Sequence, residues 1–290
     1  MAVYLKPITL RPPKAPNLLI APIVYDQRYV DQLTNALRLY FNQIDNYAAG
    51  LLAINGGGLL KFPYGAFHQD GTTVLTANMT NVSTTPIQVV STVGFPSAGY
   101  LLISDEILAY TGITPTTFTG ITRGQKSTTN VAHTAGVDVT ETQGVAANTV
   151  SVMLMTSTDF SNSVYLGSPT SSTRIYTDYA GIYNVQFSSQ FLNYDTAVDD
   201  VTIWTRVNGV DVPFSSGIVQ VGGKHGSSPG ANIVGWNIYL QLNAGDYFEL
   251  VWATASGNTV LATYPAGTTP IHPVSPSTIL SVTFVSALPS

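Results

Sequence analysis

Residues 30 to 52, VDQLTNALRLYFNQIDNYAAGLL, form the one long stretch in which apolar side chains recur at helical spacing, and nearly everything after it reads as short strands and turns. Val30, Leu33, Leu37, Tyr40, Ile44, Tyr47 and Leu51 follow one another at alternating steps of three and four, the a/d pattern of a helix that meets another helix along a seam. Ala36, Leu39 and Phe41 widen the apolar face beyond what a two-stranded seam covers. Asp26 stands where an N-cap belongs, and Gly56 to Gly58 offer a flexible hinge that ends the helix. So apolar a helix needs partners. It packs either on its own β domain or against copies of itself, and a self-associating bundle explains the unbroken heptad more directly.

Ahead of the helix, LKPITLRPPKAPNLLIAP carries five prolines, whose fixed φ and missing N–H exclude regular helix and central strand. The segment reads as an extended arm. Its cations Lys6, Arg11 and Lys14 precede the apolar run Leu18, Leu19 and Ile20, a pattern suited to docking on another surface, although a proline-rich tail without a partner has the same composition. Formal charge is uneven. Residues 1 to 61 hold six Lys/Arg against three Asp, and the remainder holds five against thirteen acidic residues, so a basic anchoring end and an acidic body that does not bind nucleic acid are expected. No run of 18 apolar residues predicts a membrane span, and the N-terminus is read as carrying no secretory signal. The absence of cysteine excludes disulfides, thiolate metal sites and cysteine nucleophiles together.

From about residue 72 to 143, TPIQVVST, YLLISDEILAYTGI, TTFTGITRG and VDVTE are short β runs cut by Gly and Pro. From about 147 onward a longer strand series begins, and in GIYNVQFSSQF the residues Tyr183, Val185, Phe187, Ser189 and Phe191 alternate with a mostly polar set. The expected chain is mainly β, with a proline-rich anchoring arm (1–24), a helical stem and glycine hinge (25–60), a small β domain (61–146) and a sandwich head (147–290) that folds on its own.

GIYNVQFSSQF with its leading Gly181, the WTRVNGVDV hairpin at Asn208-Gly209, LNAGDYFELVW at Gly245-Asp246 and the terminal ILSVTFVS make the C-terminal half resemble the C1q/TNF-type jelly roll, a sandwich that assembles as a trimer. The order of proline-rich arm, YDQRYVDQLTNALRLYFNQIDN helix, TGITRGQKSTTNVAHTAGVDV segment and sandwich resembles virion proteins of tailed bacteriophages. That resemblance implies a non-enzymatic homotrimeric fibre, spike or capsid-decoration subunit of capsid, neck or tail, held to other virion proteins by its arm and located in the virion. A receptor-binding protein for host surface polysaccharide, acting in host attachment, is the alternative it implies.

Motifs that carry chemistry are sparse. Gly226-Ser227-Ser228-Pro229-Gly230 matches G-x-S-x-G, and Asp246 and His272 follow in a hydrolase order, but Pro229 and a strand-like run stand where a nucleophile elbow needs a helix. Asn193, Asp195, Asp199 and Asp200 gather oxygen ligands in NYDTAVDD without the spacing of a calcium loop. The four histidines have no zinc-ligand spacing. Asp105 and Glu106 are strand neighbours that face opposite ways and share no substrate. Tyr194, Tyr264 and Trp236 are conceivable sugar-stacking rings, each equally a core residue. No cofactor, metal or catalytic residue is expected.

Overall fold

The computed structural model describes residues 13–18, 20–52, 62–167, 173–268 and 270–288, with residues 50–52 described in backbone only. The chain divides into two compact units, Met1–Phe62 and Pro63–Ser290. In the first, residues 13–18 and 20–26 are irregular and lead into a helix, Gln27–Leu52. Asp26 caps it, since its carboxylate accepts from the Arg28 N–H at 2.9 Å and its carbonyl accepts from the Val30 N–H at 3.2 Å. The glycine hinge expected at Gly56 to Gly58 lies outside the described residues. No helix among the described residues is long and apolar enough to cross a membrane.

The second unit is a β-sandwich extended by a further β layer. One sheet of the sandwich runs Val164–Leu166, Ile175–Thr177, Tyr247–Thr254 and Asp199–Val207, with Gly217–Val221 on the far side of Asp199–Val207. In the other, Thr278–Ser286 and Asn237–Leu242 flank Gly181–Asn193. The chain crosses between the two sheets repeatedly, the connection pattern of a jelly roll. Along Gly181–Asn193 the alternation read from sequence holds, for Tyr183, Val185, Phe187, Ser189 and Phe191 are buried. They meet Val201, Ile203, Phe248, Leu250 and Trp252 of the facing sheet. Asn208 and Gly209, with φ of 48° and 81°, make the two-residue turn that the hairpin expectation required. Gly181 has no room for a side chain, because a Cβ would stand 2.3 Å from the Phe284 ring.

The smaller β region has its own core, around Leu75, Ile87, Phe95, Leu101, Ile103, Leu108 and Phe118. It is not a separate bead. One hydrogen-bonded ladder passes from Gly181–Asn193 through Thr259–Ala262 to Asp138–Gly144, and on through Gly99–Ile103, Glu106–Tyr110 and Thr122–Gln125. Tyr64–His68 pairs with Ser157–Asn162 and seats Phe67, fully buried, in the sandwich core. The Lys126 ammonium donates to the carbonyls of Val145 and Gly257 at 2.6 and 2.8 Å and lies over the Tyr100 ring, and its burial lowers its pKa.

The boundary expected at 146/147 is therefore no break in the hydrogen-bond network, and an autonomous head is not what these pairings provide. A 147–290 fragment lacks Phe67 and the strand beside Thr259–Ala262, and loss of one core phenylalanine alone costs about 3–5 kcal/mol, a large part of a domain's 5–15 kcal/mol. We expect this fragment to fail to unfold cooperatively by circular dichroism, whereas a fragment beginning at Pro63 does. A cooperative 147–290 fragment would show that the first strand is dispensable.

Candidate functional site

On the helix, Leu33, Leu37, Tyr40, Ile44 and Tyr47 are half-buried and Val30 is exposed; Leu51 falls where side chains are not described. No described side chain of the helix is buried. Leu39 and Phe41, which broaden the apolar face, are exposed. Among the described residues the seam is thus an apolar stripe no member of which is fully buried. Of the arm residues, Lys14, Leu18 and Ile20 are exposed, and Lys6, Arg11 and Leu19 lie outside the described residues. Ile23, Val24 and Tyr25, just ahead of the helix, extend the exposed apolar run and were not singled out from the sequence.

The outer faces of the two sandwich sheets differ in chemistry. On the sheet centred on Gly181–Asn193, the positions turned away from the core are Ile182, Asn184, Gln186 and Ser188, with Tyr239 and Gln241 on one flank and Ile279 and Thr283 on the other. None is charged. The Asn184 Oδ1 is buried without a hydrogen-bond partner.

On the opposite sheet Ile175 and Phe248 point into the core, so their strand neighbours Tyr176 and Tyr247 turn outward, joined by Tyr165. Cross-strand pairing sets the three in one row, Tyr165 opposite Tyr176 and Tyr176 opposite Tyr247. Ring centroids are 5.7 and 5.3 Å apart, and the first pair is nearly parallel. The Arg174 guanidinium covers Tyr247 at 4.5 Å. Beside this row runs a polar one, with Arg174 3.6 Å from Glu249, Arg206 opposite Glu249, and Asp211 accepting from Arg206 Nε and Trp204 Nε1 at 2.9 and 2.8 Å. Hydrogen bonds from Trp204 and Arg206 hold the Asp211 carboxyl below its usual range.

The TGITRGQKSTTNVAHTAGVDV segment proves to be a buried clasp. Arg123 donates twice to Glu106, Nε to Oε1 and Nη2 to Oε2, both at 2.6 Å, and the His133 ring nitrogen lies 2.9 Å from Glu106 Oε2. The N–H groups of Gly124 and Val131 also donate to that carboxylate. Arg123 spends its remaining donors on the carbonyls of Thr80, Ser83 and Val131. Burial pushes the Glu106 pKa up, but Arg123, the Val131 N–H and His133 outweigh it and hold the carboxyl below its usual value. Glu106 and Arg123 are thus held by each other, by His133 and by backbone groups, and the cluster ties together the segments around Thr80–Ser83, Glu106 and Arg123–His133.

The remaining sequence candidates also serve structure. Ser228, Asp246 and His272 share no hydrogen bond; Asp246 binds Asn208 and Asn243, and a ring nitrogen of His272 meets the Pro273 carbonyl. Asp195 holds the Thr196 N–H and Asn258, and Asp199 holds the Ser256 N–H. Among the described residues no three His, Asp or Glu side chains gather at metal-binding distance. Tyr194 is buried beside Leu102, Ile107 and Val260, Tyr264 packs on the same cluster, and Trp236 is set edge-on against Phe187 at 4.7 Å. No family model matches the chain, and no curated protein matches it.

Proposed function

We propose that this protein is a structural subunit of a tailed-phage virion, a homotrimer whose arm attaches to other proteins of the particle, whose helix forms the stem and whose sandwich heads are displayed as a fibre, spike or decoration. The observation that carries this reading is the a/d stripe of Gln27–Leu52, none of whose described side chains is fully buried, on a chain whose β unit has cores of its own. An apolar stripe of that length costs about 25 cal/mol for each Å² left in water, and association of three stems removes it. The uncharged outer face around Asn184 and Gln186 supports the same assembly, because identical copies meet there without like-charge repulsion. The arm, exposed at Lys14, Leu18 and Ile20, supplies the attachment. Its assignment to a virion rests on the resemblance of the arm, helix, TGITRG segment and sandwich to phage virion proteins.

Sedimentation of the full chain and of a 1–62 fragment tests the stem. Both are expected to be trimeric. Leu37→Asp places three carboxylates in one apolar layer, where desolvation and mutual repulsion both oppose ionisation, and each lost leucine forfeits roughly 2–5 kcal/mol of packing. The variant fragment is expected to sediment as a monomer at concentrations where the parent is fully associated. A parent fragment that stays monomeric at high concentration sinks the stem.

A further inference from the structure

We propose that the outer face of the sheet bearing Tyr165, Tyr176 and Tyr247 is a binding surface for a neutral oligosaccharide. A sugar ring presents an apolar C–H face and a rim of hydroxyls, so its recognition needs an aromatic surface with hydrogen-bonding groups within one ring's width. The sheet supplies both side by side. The three tyrosines stand in register across three adjacent strands at steps of 5.7 and 5.3 Å, and the neighbouring row carries Arg206 and Asp211 beside the buried Glu249. The aromatic row is closed at one end and open at the other. Arg174 covers Tyr247, whereas Tyr165, on the end strand Val164–Leu166, keeps 43% of its surface exposed.

The charge pattern selects the ligand class. Arg174 lies against Glu249 and Arg206 against Asp211, so the face offers hydrogen-bonding groups with no net charge, matching a polyhydroxylated neutral chain and not an acidic or basic polymer. The tyrosines are mounted on strands and locked by stacking, which keeps the surface preorganised. Core formation does not explain them, because Ile175 and Phe248 already supply the inward contacts of these strands. The inference does not depend on the trimer.

The full-length chain, screened by saturation-transfer NMR and titration calorimetry against defined neutral tri- to hexasaccharides ending in glucose, galactose, mannose or N-acetylglucosamine, is expected to bind at least one member saturably and with little dependence on salt. Tyr165→Ala is expected to weaken that binding about tenfold or more. Tyr165→Leu, which retains apolar bulk on the strand, is expected to lose binding equally while its unfolding temperature stays near the parent's. Val93→Ala, at an exposed position of the small β region, leaves binding unchanged. The proposal is overturned if no panel member binds at millimolar concentration, if binding survives Tyr165→Leu, or if only acidic saccharides bind and salt abolishes the interaction.

Discussion

Arg123→Met is expected to destabilise the Pro63–Ser290 unit by about 3–5 kcal/mol, because it leaves the Glu106 carboxylate buried with its principal counter-charge removed. Glu106 is fully buried and takes two 2.6 Å bonds from Arg123. The substitution also strips the part-buried carbonyls of Thr80, Ser83 and Val131 of this donor, a smaller loss because Thr80 and Val131 are open to water. Replacing both charges, as Arg123→Met with Glu106→Leu, is expected to recover part of the stability, since an apolar pair of similar volume carries no desolvation penalty. Urea unfolding of the three proteins checks this. A single substitution costing less than about 1 kcal/mol would mean that water reaches the clasp and screens it.

The same clasp marks where sequence reasoning stopped. Asp105 is not the strand neighbour expected of it, for it lies in the Ser104–Asp105 turn and is exposed, whereas Glu106 opens the next strand and is buried. What the strand period does not contain is the partner. Arg123 and His133 reach Glu106 through tertiary approach, and the only signal was an arginine and a histidine in a segment whose other charges are Lys126 and Asp138. The helix was legible for the opposite reason, as its period and its Asp26 cap are local. So were the Asn208-Gly209 turn and the alternation along Gly181–Asn193. The joining of Tyr64–His68 to the sandwich is a pairing between distant segments, invisible to any local pattern. So is the tyrosine row, because each tyrosine alone is an ordinary outward strand residue and only cross-strand register aligns the three. Of the three rings singled out, Tyr194 is buried while Tyr264 and Trp236 are half-buried against apolar neighbours, a difference that loop position in sequence does not report.

Between pH 5.5 and 8.5 the protein is expected to lose on the order of 3 kcal/mol of stability through Glu141 alone. Glu141 sits on Asp138–Gly144, the strand that joins the small β layer to the sandwich. It is buried, its Oε2 has no hydrogen-bond partner, and the facing Tyr110 phenol is itself pushed up by burial and by this carboxyl. Burial pushes the Glu141 carboxyl up to about 8 from 4.5, with the Gln69 amide offsetting only part of the rise. The folded protein therefore holds a proton that the unfolded chain releases above about pH 4.5. Stability from this group is complete below that value, falls as pH rises, and is exhausted above about 8. Lowered carboxyls such as Glu106 act in the other sense, their contribution fading only as pH falls toward and below 4.5. Glu141→Gln keeps the shape and removes the proton equilibrium, so its urea-unfolding free energy should be nearly flat across the window and exceed the parent's at pH 8.5. Parallel pH profiles for parent and variant would show that Glu141 is ionised in the folded protein and paired through a rearrangement of Gln69.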